Sequence, residues 1–205
     1  MSVLLRVTTD RNVVGTAFAD VTDLTAAIDA STTYIFRFVP QITTNATTTG
    51  ARFSVNGPAS PTGLRYGGGI VSGVGAANFG SQTAYNTAIF ATTAGTGATA
   101  RMCWIEGLIR NGSNSGTLAL RYAAEVASPG QVNALTGSSG YLYTASDFTE
   151  FVRVTADRNV VGTAFADVTD MTLPVAASTD YTFHFCVHYT CNANTTGARF
   201  AVNGP

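Results

Sequence analysis

The chain has 205 residues, of which 45% are hydrophobic and only 11% are charged, a composition that excludes an intrinsically disordered protein. Its net charge is −1, and all of its basic residues are scattered arginines, which argues against partners such as nucleic acid or an anionic membrane surface. No apolar run approaches the roughly 20 residues that span a bilayer, and the first residues lack the pattern of a signal peptide.

Strand-forming residues dominate the whole chain. Thr, Val, Ala, Gly and aromatic residues recur between closely spaced turn residues, without the alternation of strands and helices that marks a parallel sheet. The pattern predicts an all-β fold, an antiparallel β-sandwich or jelly-roll-like domain. In chain order, the predicted strands are 3–9, 16–24, 31–44, 50–56, 62–71, 86–93, 99–110, 116–127, 130–135 and 139–145.

The residues between Tyr34 and Val39 alternate with period two, which is typical of a strand with one buried face. A later stretch of the chain repeats this segment and keeps only one parity. Tyr34, Phe36 and Phe38 recur unchanged, whereas the residues between them differ in the repeat. Because packing tolerates change less than solvent does, we expect the aromatic parity to face the core.

Two glycine-rich regions in the middle of the chain predict connections. The turn residues 110–116 separate two strand patterns, 101–110 and 117–126, which together predict a long hairpin. The glycines of 67–69 and 73–75 lack the helix and the lysine signature of a phosphate-binding loop, so we expect them in loops or bulges.

The beginning of the chain recurs near its end. Residues 6–58 align without a gap with residues 153–205, and 37 of the 53 positions are identical. We therefore predict a complete β-sandwich domain at 1–149, followed at 150–205 by a partial repeat of residues 3–58 that contains the first four strands of a second domain. Three explanations stay open for this partial domain: a truncated chain, completion by a neighbouring subunit, or packing against its own oligomeric copies.

The two histidines and two of the three cysteines cluster in this repeat. His184, Cys186 and His188 share one face of a predicted strand, and Cys191 follows near a turn, so the four residues form a candidate zinc site. The alternative is a surface strand that has diverged, and it is favoured because this face is the variable one. We accordingly expect no metal and no other cofactor. The odd number of cysteines predicts free thiols.

Carboxylates also occur in repeated pairs. Asp20 and Asp23 recur as Asp167 and Asp170, a spacing that suggests either acid–base chemistry or a calcium site. Aspartates near turns more often bond to the backbone, and Asp10 and its counterpart Asp157 are expected to pair with nearby arginines. No serine or cysteine lies in a nucleophile motif, so we predict that the protein is not an enzyme and has no catalytic residues.

Several longer segments resemble those of virion structural proteins of tailed bacteriophages. They are Tyr34–Phe38 leading to Thr48–Pro58, Ile105–Tyr122, Glu125–Val126 and Gly137–Leu142, and the pattern begins again at Arg153. The resemblance implies a β-rich protein, often trimeric, on the capsid or along the tail and its fibres.

On this basis the expected function is a structural component of a phage particle. The favoured role is a capsid-decorating or cementing protein, found in the virion after assembly in the host cytoplasm. Its expected partners are further copies of itself, in a homotrimer, and other phage structural proteins such as the major capsid protein. The alternatives are a tail or fibre subunit and a carbohydrate- or receptor-binding β-sandwich module. Trp104, the only tryptophan, falls within a predicted strand, and the aromatic residues follow the strands and are expected in the core, which disfavours glycan binding.

Overall fold

The structure is a computed structural model that describes residues 3–73, 76–90, 97–127, 129–144, 152–177, 185, 187–193 and 198–204. The chain divides into two compact units, Met1–Asp147 and Phe148–Pro205.

Twelve strands are described in the first unit, and each observed strand pair is antiparallel, so the prediction of an all-β antiparallel fold is confirmed. The strands are β1 (Val3–Arg6), β2 (Arg11–Val14), β3 (Ala19–Ile28), β4 (Thr33–Val39), β5 (Gln41–Thr44), β6 (Ala51–Asn56), β7 (Gly63–Gly73), β8 (Ala76–Gln82), β9 (Arg101–Arg110), β10 (Gly116–Ala124), β11 (Gln131–Ala134) and β12 (Ser139–Thr144).

These strands form a large sheet and a small one. The large sheet has nine strands in the order β1-β12-β4-β9-β5-β11-β2, and β7 joins it through β9 while β8 pairs with β7. The small sheet has the order β3-β10-β6. Side chains from both sheets contribute to one continuous hydrophobic core, as in a sandwich.

Within the first unit, the early strands β1 to β6 are interleaved with the late strands β9 to β12. Within the described residues, β1 to β6 make no ladder with one another; each pairs only with strands from β9 to β12. The β1 strand pairs with β12, for example, and β10 lies between β3 and β6. The first 56 residues therefore satisfy their backbone hydrogen bonds almost entirely through the later part of the chain.

The expected alternation of β4 is confirmed. Tyr34, Phe36 and Phe38 are buried, and the residues between them are half-buried. They pack with residues of β9, β6 and β10, among them Ile105, Phe53 and Leu120, in the core.

Three strand predictions were wrong in position or extent. The predicted strand 31–44 is interrupted at Pro40, which separates β4 from β5, because proline cannot donate a ladder hydrogen bond. The strand β2 was not predicted. The strand expected at 86–93 is not found at 86–90, and residues 91–93 lie outside the described residues. The strand of this region, β8, lies earlier in the chain, at Ala76–Gln82.

The predicted hairpin was also wrong. Its two strands, β9 and β10, lie in different sheets: β9 pairs with β4, β5 and β7, and β10 with β3 and β6. The connection at 111–115 therefore crosses between sheets. The side-chain amide of Asn111 holds it by donating to the carbonyls of Asp29 and Asn114, at 2.8 and 2.7 Å.

The glycines of 67–69 lie inside β7, which corrects the expectation of a loop or bulge. A Cβ atom on Gly68 would collide with the Trp104 carbonyl, and one on Gly69 would lie 2.5 Å from the Trp104 ring. Glycine is needed here because β9 and its tryptophan approach β7 closely. Gly73 also belongs to β7, and residues 74–75 lie outside the described residues.

The described residues of the second unit contain no strand, only a short 3-10 helix at Thr169–Met171. The four strands expected in this repeat stay a prediction, since most of the segment equivalent to β4 lies outside the described residues. Hydrophobic side chains there are largely exposed, including Val161, Phe165, Tyr189 and Phe200.

Candidate functional site

The candidate zinc residues are only partly described. His184 and Cys186 lie outside the described residues, His188 is half-buried, and Cys191 is exposed. Among the residues that the structure does describe, no group of three or more His, Cys, Asp or Glu side chains is arranged to hold a metal ion. The zinc hypothesis therefore gains no support, and the expectation of no metal stays a prediction.

The Asp23 carboxylate has a structural role. The Arg11 guanidinium donates to it through Nη2 at 2.8 and 3.0 Å and through Nε at 3.3 Å, and the Thr8 backbone N–H donates at 3.2 Å. These hydrogen bonds, above all those from Arg11, lower the pKa of Asp23 below its usual value. The carboxylate is thus an acceptor that ties β2 to β3, and it stays ionised.

The other two carboxylates of this region have different partners. Asp20 pairs with Arg121 of β10 at 2.8 Å. Asp10 does not pair with an arginine as expected: it accepts hydrogen bonds from the backbone and hydroxyl of Thr136, at 2.7 and 2.8 Å, and these lower its pKa. The three carboxylates therefore fasten separate connections and do not form an acid–base pair.

The second unit repeats the Asp23 arrangement at the equivalent positions. Asp170 accepts hydrogen bonds from the Thr155 backbone at 2.9 Å and hydroxyl at 2.8 Å, and from Arg158 at 2.6 Å. These contacts, led by the backbone hydrogen bond from Thr155, lower the pKa of Asp170 to about 2. Arg158 thus pairs with Asp170 and not with Asp157, the carboxylate that was expected to pair with a nearby arginine. Because the same arginine, aspartate and threonine contacts form in both copies, we infer that they stabilise the fold of this repeated turn.

The buried polar groups of the core do not form a nucleophilic site. Burial raises the pKa of the Cys103 thiol, so the thiol stays protonated and unreactive. The Tyr66 hydroxyl is bonded to the carbonyls of Ala84 and Thr87, at 2.8 and 2.9 Å. Both side chains stabilise the core and offer no group to a substrate.

A surface concavity of about 580 Å³ lies beside β6 and the segment after β8. Three of its polar side chains are engaged within the protein. Arg52 stacks over the Phe18 ring at 5.0 Å, the Gln82 amide donates to the Ala88 carbonyl at 2.8 Å, and the Asn86 amide oxygen accepts from Arg121 at 2.6 Å. These polar groups hold the local structure, which gives no reason to place a ligand in the concavity.

The broadest candidate surface is the face of the large sheet that points away from the core, here called the outer face. One cross-strand row on it consists of Leu4, Tyr141, Arg37, Glu106 and Gly67, on β1, β12, β4, β9 and β7. Directly opposed residues share a face, so the register places them side by side. Leu4 is 81% exposed, and Arg37 and Glu106 form an ion pair at 3.7 Å.

Neighbouring rows add aromatic rings to this outer face. Tyr143 lies 5.0 Å from Tyr141, between ring centroids, and Trp104 contacts the 69% exposed Phe79 edge to face at 5.8 Å. The outer face therefore combines apolar and aromatic side chains with the Arg37–Glu106 ion pair, and it extends over five strands and the edge strand β8.

This surface was not predicted from the sequence, because the aromatic residues on strands were all expected to lie in the core. That expectation holds for Tyr34, Phe36 and Phe53 but is wrong for Trp104 and Tyr141. The signal was present in Tyr141-Leu142-Tyr143, where a buried leucine requires the tyrosines to point outward. The cross-strand neighbours that turn single rings into a surface follow only from the sheet order.

No helix in the described part of the chain is long and apolar enough to cross a membrane. Comparison of the chain with known protein families, with characterised proteins and with solved structures finds no match in any of the three.

Proposed function

We propose that the chain is a non-enzymatic structural component of a tailed-bacteriophage particle, and within that class a capsid-decorating or cementing protein. The resemblance of its segments to phage virion proteins supports the class. The observation that carries the proposal is the outer face, a wide sheet surface with exposed Leu4 and Phe79 and the paired rings of Tyr141 and Tyr143. Aromatic residues are enriched, and most charged residues depleted, where proteins bind one another.

The proposed occupants of the outer face are further copies of this chain in a homotrimer, with the major capsid protein as the partner of the assembled trimer. In a cyclic trimer, the outer face of each subunit would contact a different surface of the next subunit, head to tail, until the ring closes. Arg37 and Glu106 pair at 3.7 Å on this surface, so that neither of these two charges is buried without a partner in the proposed contact.

The trimer is tested by light scattering on purified protein at micromolar concentration. We expect a trimer for the unmodified chain and a monomer for Tyr141→Glu, because a carboxylate placed among the rings loses its solvation in the contact. Thr22→Glu, on the exposed side of β3, is the matched control and should remain trimeric. A monomeric unmodified chain contradicts the proposed trimer.

The place in the particle is tested by mass spectrometry of purified virions. A capsid-decorating protein is expected in a copy number similar to that of the major capsid protein. A few copies per particle, found with tail proteins, would instead support the tail or fibre alternative.

A carbohydrate- or receptor-binding module is the second candidate, favoured by the exposed ring of Phe79 beside Trp104 and by the half-buried rings of Tyr141 and Tyr143, since sugars stack on aromatic faces. A glycan array distinguishes the two. Binding that Trp104→Ala abolishes would favour the module, and an absence of binding would favour the structural role.

A further inference from the structure

The second copy, residues 150–205, matches the part of the sandwich that residues 3–58 occupy. We propose that residues 150–205 can replace residues 3–58 on strands β9 to β12 of the same chain, which gives a circularly permuted form of the same domain. The chain then holds two interchangeable copies that compete for one scaffold, the scaffold being residues 59–144.

The pairing pattern is the first support. The first copy's strands β1 to β6 find their ladder partners only among β9 to β12 in the described residues. A second copy with the same sequence pattern has the same requirement, and strands β9 to β12 are the ones that meet it for the first copy. The described residues of the second copy carry no strand.

The second support is the geometry of the connection. Val3 lies directly opposite Leu142 in the antiparallel β1–β12 ladder, where paired Cα atoms are about 5 Å apart. Glu150 is the residue equivalent to Val3, and residues 143–149 separate it from Leu142. That length is enough to close a hairpin, so the second copy's first strand would continue from β12 into the place of β1. At the other end, the permuted domain would begin at Ala59, which is exposed in the loop between β6 and β7.

Most side chains of the second copy match those that the first copy packs against the scaffold, but a few do not. The second copy keeps the buried aromatic positions: Tyr181, Phe183, Phe185 and Phe200 correspond to Tyr34, Phe36, Phe38 and Phe53.

Its largest misfit is Tyr189, which corresponds to the fully buried Ile42. Overpacking at such a position destabilises a core. Pro174 also replaces Ala27, which lies opposite Thr117 in the β3–β10 ladder. The first copy therefore holds the scaffold in the unmodified protein, and the second copy is the weaker competitor.

The second copy also retains two side-chain contacts that the first copy uses when docked. Arg158 pairs with Asp170 as Arg11 pairs with Asp23. Arg199 stacks over Phe165 at 5.3 Å, as Arg52 does over Phe18 at 5.0 Å. A segment in which these two contacts are already formed has less conformational entropy to lose on docking.

The test uses the full chain and disables one copy at a time. Phe53 and its equivalent Phe200 are each replaced by aspartate, singly and together, and two quantities are measured: thermal unfolding by circular dichroism and the alkylation rate of each cysteine by residue-resolved mass spectrometry. Cys191 is exposed, but it corresponds to the buried Thr44, so docking of the second copy protects it. Cys103, buried in the scaffold, is the internal control.

We expect Phe53→Asp, measured at a dilution at which the chain is monomeric, to keep a single cooperative transition. Alkylation of Cys191 should slow at least about tenfold, since reaction then requires opening of the docked strand. Phe200→Asp alone should match the unmodified chain in both measurements. The double variant should lose the cooperative transition and expose Cys103 as well.

Three results would overturn the proposal. The first is loss of the transition in Phe53→Asp as complete as in the double variant. The second is a folded Phe53→Asp in which Cys191 reacts as fast as in the unmodified chain, because aspartate would then simply be tolerated. The third is protection of Cys191 only in a dimer, which would place the second copy on another chain. Val55→Asp and Val202→Asp repeat the design at a second pair of equivalent positions and guard against an effect peculiar to Phe53.

Discussion

Phe53 and Phe200 occupy equivalent positions in two copies of nearly the same sequence, yet Phe53 is fully buried and Phe200 is 60% exposed. Phe53 belongs to β6, which pairs with β10, whereas the described residues around Phe200 form no strand. The difference follows from the availability of partner strands, since a strand needs a neighbour for its backbone hydrogen bonds and a second sheet for its apolar face. An amphipathic strand pattern therefore shows that the segment needs partner strands, but the pattern alone does not provide them.

Contacts between residues close in sequence survive in both copies. The arginine–aspartate pair joins residues twelve apart, Arg11 to Asp23 and Arg158 to Asp170. The glycine that follows the two valines has a positive φ in both copies, +83° at Gly15 and +96° at Gly162. Short-range geometry is thus reproduced without the sandwich, whereas the strand ladders and the burial of Phe53 have no counterpart in the described part of the second copy.

The largest expected difference appears when the two units are produced separately. Residues 1–147 contain all twelve described strands and their core, so this fragment should show a cooperative thermal transition and a β-type circular dichroism spectrum. Residues 148–205 lack the partners of β9 to β12 and should show neither. A cooperative transition in the isolated second unit would mean that its strands pair in some other way.

A smaller effect is expected from one buried side chain. In the 1–147 fragment, Phe53→Ala should lower the free energy of unfolding by about 3–5 kcal/mol, because it removes a fully buried ring and leaves a cavity. In the full chain, Phe200→Ala should change it by less than about 0.5 kcal/mol, as expected for an exposed position. Urea denaturation measures both, and equal losses would contradict the assigned burial.

The aspartates of the repeated turn test whether the local geometry is the same in both copies. In carboxyl-detected NMR of the full chain, both Asp23 and Asp170 should titrate below their usual range, and the pKa of Asp170 should be about 2. Because the pKa in the folded turn is depressed, the stabilising contribution is complete above the unfolded pKa, near 3.8, and is lost as the pH falls toward 2.

The matched variants Arg11→Ala and Arg158→Ala should each raise the pKa of the paired aspartate toward its usual value. The rise should be partial at Asp170, since the Thr155 backbone and hydroxyl continue to donate. An unshifted Asp170 in the unmodified chain would show that the turn of the second copy is not formed.

The smallest effect is expected at Ser54, which the second copy replaces with Ala201. The Ser54 hydroxyl lies 3.4 Å from the Tyr66 hydroxyl, and Tyr66 keeps two carbonyl partners without it. Ser54→Ala in the 1–147 fragment should therefore cost less than about 1 kcal/mol by urea denaturation. A larger loss would show that the hydroxyl is required in the core.

The sequence by itself was enough for the all-β class, the duplication and the inward parity of β4, because period-two alternation and recurrence are local properties that each stretch of the chain displays alone. It was also enough to anticipate aspartates bound at turns, although the partner of Asp10 turned out to be Thr136 and not an arginine.

Only the tertiary structure decided which strands pair. The interleaving of β1 to β6 with β9 to β12, the crossing between sheets at 111–115 and the aromatic outer face all depend on contacts between residues far apart in the chain. Alternation specifies that a strand has an apolar side, but many partners satisfy that requirement equally well. The choice among them is made by the packing of the whole core, which is why Phe53 and Phe200, with the same neighbours in sequence, have different surroundings in space.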